Sequence, residues 1–337
     1  MVIFFIVYVI LALVGIKFDS KENNFLSFDQ TNALKGIGIM TVFFNHIYND
    51  YLTPNNVLHH PYLDEPFVFF ESIMTGLFVG MFLFFSGYGV LESVKKKGTT
   101  YINYIPLKRL GTTLLNFDIA VLVFLIVNLL FKIPLSPQHV LLSFIGWESL
   151  GNSNWYIFAY LCCCLVSYLA LKVFPSRKKV IILTFLLITM YCALISHHKQ
   201  PWWYNTIFCY PVGMLYSEYK ERINQLFSQR YAICCLAVLV TFVVTFSSNA
   251  ISFNIASVSF CFLCVLFSMR VSLNSKPLIW LGANLFPLYI YQRLPMYVIG
   301  HLHPEIIKNA PPHISNNMHD SNIDNWAFYA SFQTPKE

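Results

Sequence analysis

Long apolar runs recur along this chain, and they limit its fold more than any other feature. A backbone in lipid must satisfy its own hydrogen bonds, so an apolar run of about 20 residues becomes a helix. Runs at 1–16, 32–48, 73–91, 114–131, 155–174, 180–195, 203–216, 231–246, 251–269 and 278–299 predict an all-α, polytopic transmembrane bundle of about ten helices. Only 11% of the 337 residues are charged, against about 25% in a soluble domain. No soluble-sized segment interrupts the runs, so one membrane domain is expected. The first run lacks a basic leader and a small-residue cleavage site, and is read as a helix that stays in the membrane. The run at 203–216 is short and interrupted by Pro211 and Gly213, the segment 218–230 reads as a charged loop, and the last run is expected to kink at Pro287 and Pro295.

The cations alternate along the chain. Lys17 and Lys21, the cluster from Lys95 to Arg109, Arg177 to Lys179, Lys220 to Arg230, and Arg270 with Lys276 follow the odd-numbered runs, while the even-numbered runs are followed by few. The positive-inside rule then places these segments in the cytoplasm and the N-terminus outside. The net charge of +6 is accounted for by topology and gives no reason to expect nucleic acid. Nine cysteines lie mostly in apolar runs without metal-ligand spacing, so they read as small packing residues; no metal and no cofactor is expected.

The stretch 32–50, NALKGIGIMTVFFNHIYND, carries Lys35 and His46 eleven positions apart. That is about three helical turns, so both fall on one face, roughly 16 Å apart. Ionisable residues in a membrane helix usually face the bundle interior or a water-filled cavity. Lys35 suits a snorkelling lysine at the membrane boundary as well as a cation that receives an anionic donor. His46 suits an interface residue as well as a general base acting on a hydroxyl, with Asp50 one turn on to orient it. Lys108 and Arg109 fit topology-setting charge or the binding of nucleotide phosphates. Ser86 lies in a small-residue break that fits helix packing. Trp155 and Tyr156 fit an aromatic belt or a stacking platform for substrate. Gln292 is a buried polar residue expected to face the bundle, and Arg293 beside it needs a partner or a polar cavity.

Several of these stretches together resemble the acyltransferase-3 family of membrane-bound O-acyltransferases, which includes bacterial polysaccharide O-acetyltransferases. NALKGIGIMTVFFNH is similar to the family's signature of a basic residue, ten positions and a histidine on one transmembrane helix. Asn32 stands where the family often has aspartate. FFSGYGV, YIPLKRL, NSNWYIFAYL, YPVGMLYSEY and WLGANLFPLYIYQRLPMY resemble later family segments in the same order. Gly111 or Thr112 stands where a second arginine often follows, and Gln292 lies near the family's usual closing histidine. The resemblance divides the chain into an extra N-terminal helix and loop (1–27), an acyltransferase-like membrane domain (28–300) and a polar, unstructured tail (301–337).

The resemblance implies transfer of an acyl group, acetyl being the expected one, from cytoplasmic acyl-CoA to a hydroxyl of a surface or lipid-linked glycan, in a bacterial plasma membrane. Acetyl-CoA is then a substrate; membrane lipid and a glycan or lipid-linked saccharide are the other partners. His46 and Asp50 would be catalytic. Asn32, Lys35, Ser86, Lys108, Arg109, Trp155, Tyr156, Gln292 and Arg293 would bind substrate. A transporter or flippase for a lipid-linked sugar or small molecule has the same bundle and midplane polar residues, and stays open beside this reading, as does a non-catalytic membrane scaffold.

Overall fold

A computed structural model describes residues 2–18, 25–47, 61–247 and 249–302. Asp50 and most of the tail lie outside them. The regular structure of the described residues is helical apart from two three-residue strands. α1 (Val2–Leu13) leads into β1 (Ile16–Phe18), and α2 (Phe28–Ile47) follows. α3 (Pro61–Ile105) bends at Gly98, whose φ of 55° is one an L side chain rarely adopts, and continues through a π-helical turn (Pro106–Gly111) into α4 (Thr112–Leu130). Then come the short α5 (Pro137–Phe144), α6 (Trp155–Val173), α7 (Arg177–Ile195), α8 (Cys209–Gln229), α9 (Tyr231–Thr245) and α10 (Ala250–Ser268). β2 (Val271–Leu273) precedes three short helices, α11 (Lys276–Ala283), α12 (Leu285–Tyr291) and α13 (Arg293–Leu302).

Four helical segments among the described residues are long and apolar enough to cross a membrane: Met74–Leu130, Trp155–Val173, Arg177–Ile195 and Ala250–Ser268. A fifth arises if α8 and α9, bent by 106°, form one broken span. The first segment is not one crossing. A Cβ added to Gly89 would lie 3.9 Å from Arg109 Nη2, whereas twenty residues of straight helix span about 30 Å. The chain therefore doubles back at Gly98, and the parts on either side lie against each other.

Three expectations need correction. Among the described residues four or five candidate spans are found where about ten are expected. α1 has 12 residues, and the closing run is divided into pieces of 8, 7 and 10, each shorter than the roughly 20 a crossing needs. The divisions fall at Asn284 and Gln292, three residues before Pro287 and Pro295, not at the prolines. Each proline thereby sits in the first turn of a helix, where its missing N–H costs nothing. The segment 218–230 is not a loop. It continues α8 past a distortion at Tyr219, because Ile223 and Phe227 recur at helical spacing and pack inward against the core while charges cover the other face.

The ends of the bundle sort as the charge alternation expects. β1 pairs antiparallel with β2, joining the segments after α1 and α10. Lys172 bonds Asn103 at 2.8 Å, Arg177 bonds Glu218 at 2.8 Å, Lys220 meets Glu92 at 3.3 Å, and Arg270 stacks on Tyr231 at 4.6 Å. These contacts tie the basic segments together at one end. At the opposite end Lys199 bonds the Trp147 carbonyl at 2.8 Å and sits over the Trp147 and Trp203 rings.

Two glycine contacts set the interior. On α3 and α8, a Cβ at Gly87 would lie 2.0 Å from the Tyr210 carbonyl oxygen, and one at Gly213 the same distance from that of Phe84. On α2 and α11, Gly36 meets Leu278 and Gly282 meets Asn32, at 2.1 and 1.8 Å by the same measure. Backbones this close require glycine. The second pairing also shows that α11 crosses α2 with opposite chain direction.

Candidate functional site

α2 is unbroken from Phe28 to Ile47, so Lys35 and His46 keep their separation of about three turns. Both are half-buried. Lys35 Nζ donates to Asn32 Oδ1 at 3.3 Å. Asn32 is 1% exposed, and its Nδ2 has no partner among the described residues.

Arg109 reaches the same place from the π-helical turn. Its Nε donates to Tyr101 Oη at 3.0 Å and its Nη1 to Tyr160 Oη at 3.4 Å. Lys35 and Arg109 are close enough for their charges to repel each other. No described carboxylate pairs with either; the salt bridges all lie elsewhere. Lys108, its sequence neighbour, is exposed and lies over the Tyr104 ring at 5.8 Å. The expectation that both cations serve one site is thus divided: successive residues on a helix point about 100° apart, and only Arg109 turns inward.

A stripe on α3 faces this cluster. Phe82, Ser86 and Gly89 recur at i, i+4 and i+7 and share one face. Gly89 lies beneath the Arg109 guanidinium, and Phe82 packs edge-on to Tyr156 with centroids 6.2 Å apart. The hydroxyl of Ser86, between them, is buried without a partner among the described residues. From α6, Tyr156 and Tyr160 lie one turn apart, with centroids 6.3 Å apart. Tyr156 is 7% exposed and also packs on Tyr289 of α12 at 5.0 Å. It is a core residue instead of a belt anchor, while Trp155 beside it is half-buried. Gln292, one turn beyond Tyr289, is 8% exposed, and neither atom of its amide has a partner among the described residues. Arg293 is half-buried, with its charge felt by Tyr289 and Tyr297.

The structure thus brings Asn32, Lys35, Ser86, Arg109 and Tyr156 onto facing surfaces of α2, α3, α6 and the π turn, with Gln292 one turn beyond Tyr289, the neighbour of Tyr156 on α12. It turns Lys108 away, puts His46 at the far end of α2, and leaves Asp50 outside the described residues. Tyr101, Tyr160 and Tyr289 were not anticipated. The available signal was Arg109 itself, since an inward guanidinium needs acceptors and tyrosine supplies them on an otherwise apolar face.

A family model for an acyltransferase domain, that of acyltransferase family 3, matches residues 28–332 of this chain. No curated protein and no solved structure matches it.

Proposed function

Because the chain belongs to the acyltransferase-3 family, with the match covering residues 28–332, we propose that it is a membrane-embedded O-acyltransferase. It takes an acyl group, acetyl in the simplest case, from cytoplasmic acyl-CoA and passes it to a hydroxyl of a surface or lipid-linked glycan. The observation that carries this reading is the meeting of Lys35 and Arg109 with no carboxylate paired to either among the described residues. Two inward cations that repel each other are costly in a low-dielectric interior. An anion relieves that cost, and the phosphates of CoA are the anion that an acyltransferase must hold.

His46 lies about 16 Å away on the same helix and serves as the general base for the acceptor hydroxyl. Removing such a group costs about 10²–10⁴ in rate. The test is His46→Ala in purified membranes, following transfer of labelled acetyl from acetyl-CoA to glycan. Protein that accumulates normally but no longer transfers is expected; transfer at the unaltered rate removes His46 from the mechanism. A transporter or flippase would release no free CoA when given acetyl-CoA and acceptor, so CoA release separates the two classes.

A further inference from the structure

The proposed reaction uses Lys35 and Arg109 for the donor and His46 for the base, and assigns Gln292 no part. An amide has two donors and a two-lone-pair acceptor, and buried polar groups are paired in the great majority of cases. Gln292 is 8% exposed with both its oxygen and its nitrogen unpartnered among the described residues. Its backbone N–H still donates to the Leu288 carbonyl at 3.0 Å, so helical geometry persists to this position. Gln292 therefore shares a face with Tyr289, the residue that packs on Tyr156 of α6.

The chain path fixes the depth of that amide. α11 crosses α2 near Asn32 and Gly36. Tyr289 then meets Tyr156, and Tyr297 bonds Asn128 at 2.8 Å and packs against Gly151, near the end opposite the basic segments. Gln292 lies between those two levels, on the far side of Tyr156 from Arg109. A donor entering at the Arg109 end meets the cations first, and an acceptor from the opposite end meets Gln292 first.

We infer that Gln292 recognises the acceptor, taking two adjacent hydroxyls of a saccharide: one donates to Oε1 and the other accepts from Nε2. A thioester carbonyl only accepts and would leave Oε1 unpaired; a vicinal diol fills both atoms, and the depth of Gln292, beyond Tyr156 from Arg109, sets it apart from the amides of the donor. This assignment rests on the acyltransferase reading for the word acceptor, but its contact can be measured without turnover.

The experiment measures equilibrium binding of methyl hexosides, and of their monodeoxy analogues lacking one of two neighbouring hydroxyls, to the full chain in detergent micelles without acyl-CoA. The unaltered protein is expected to bind one hexoside and to disfavour its deoxy analogue by about 10–100-fold, because one buried amide atom is left unpaired. Gln292→Leu should bind both weakly and distinguish them less than threefold. Gln292→Glu keeps the shape and the acceptor but loses the N–H donor, so it should lose discrimination at one hydroxyl only. The kinetic counterpart is a KM for acceptor raised at least tenfold in Gln292→Leu, with the KM for acyl-CoA within twofold. Unchanged discrimination in Gln292→Leu, no binding by any hexoside, or a rise in the KM for acyl-CoA in place of that for acceptor would each overturn the assignment. Gln292-dependent discrimination in a protein that transfers no acyl group would instead leave the assignment standing and remove the acyltransferase reading.

Discussion

Two charged clusters lie within one turn of each other on α3, and they are built on opposite principles. Around Glu92, every group has its complement. The carboxylate meets Lys95 at 3.2 Å and Lys220 at 3.3 Å and accepts from Ser217 Oγ at 2.8 Å, while Lys95 also bonds the Ser217 carbonyl. Around Gly89, Arg109 and Lys35 approach each other, and among the described residues their hydrogen bonds go to tyrosine hydroxyls and an asparagine. The first arrangement fastens α3 to α8 and needs nothing more. The second carries excess positive charge inside the bundle, which is costly until an anion arrives. Incomplete pairing, more than the presence of charge, separates the candidate site from the framework.

The largest effect expected from breaking this contrast is at Arg109. Arg109→Ala removes the guanidinium and orphans Tyr101 and Tyr160, and kcat/KM for acyl-CoA should fall about 100-fold or more. Arg109→Lys should recover little, because a point charge cannot bridge two hydroxyls as a fork does. Near-normal transfer by Arg109→Ala would make the cluster structural. Lys35→Ala comes next: about a tenfold higher KM for acyl-CoA is expected, with kcat changed less, as for a group that holds the donor without touching the reacting atoms. An unchanged dependence on acyl-CoA concentration would remove Lys35 from donor binding. Asn32→Asp sharpens the contrast by making the second cluster resemble the first. It puts a carboxylate where Oδ1 already lies 3.3 Å from Lys35 Nζ, so the KM for acyl-CoA should rise about threefold to tenfold as the excess charge is cancelled. A lower KM would mean that the cations act through something other than net charge.

The hydropathy of the chain was enough to read α4, α6, α7, α9 and α10, because each is a continuous apolar run with polar ends. α6 even stops where its sequence says, with Phe174 extended before Pro175. The closing helices were legible only as one run. Proline marks the first turn of the helix that follows it, so the breaks fall upstream, at Asn284 and Gln292, where composition gives no sign. Within the site, Lys35 and Arg109 stood out because a charge in an apolar setting needs an explanation. Lys108 stands beside Arg109 in sequence, but adjacency on a helix separates side chains instead of joining them. Tyr101 and Tyr160 could not be told from interface aromatics, since one composition serves both roles; Tyr101 meets Arg109 from the same helical stretch, and Tyr160 only through the packing of α6 against the π turn.

The smallest expected effect falls at the completed cluster. Glu92→Gln keeps the size and the Ser217 contact but leaves Lys95 and Lys220 facing a neutral amide. The glutamate side chain is 19% exposed, so the lost pairing should cost about 1 kcal/mol, near the upper end for ion pairs that water still reaches. Melting followed in detergent should shift down by about 1–2 °C, and the shift should shrink as salt screens the unaltered pairs. Transfer from acyl-CoA should stay within twofold, because the donor meets Arg109 and Lys35 and not this carboxylate. A fall in transfer comparable to that in Arg109→Ala, without a matching loss of stability, would mean that the two clusters act together, and that the paired charges on α3 set the field in which the unpaired ones receive their anion.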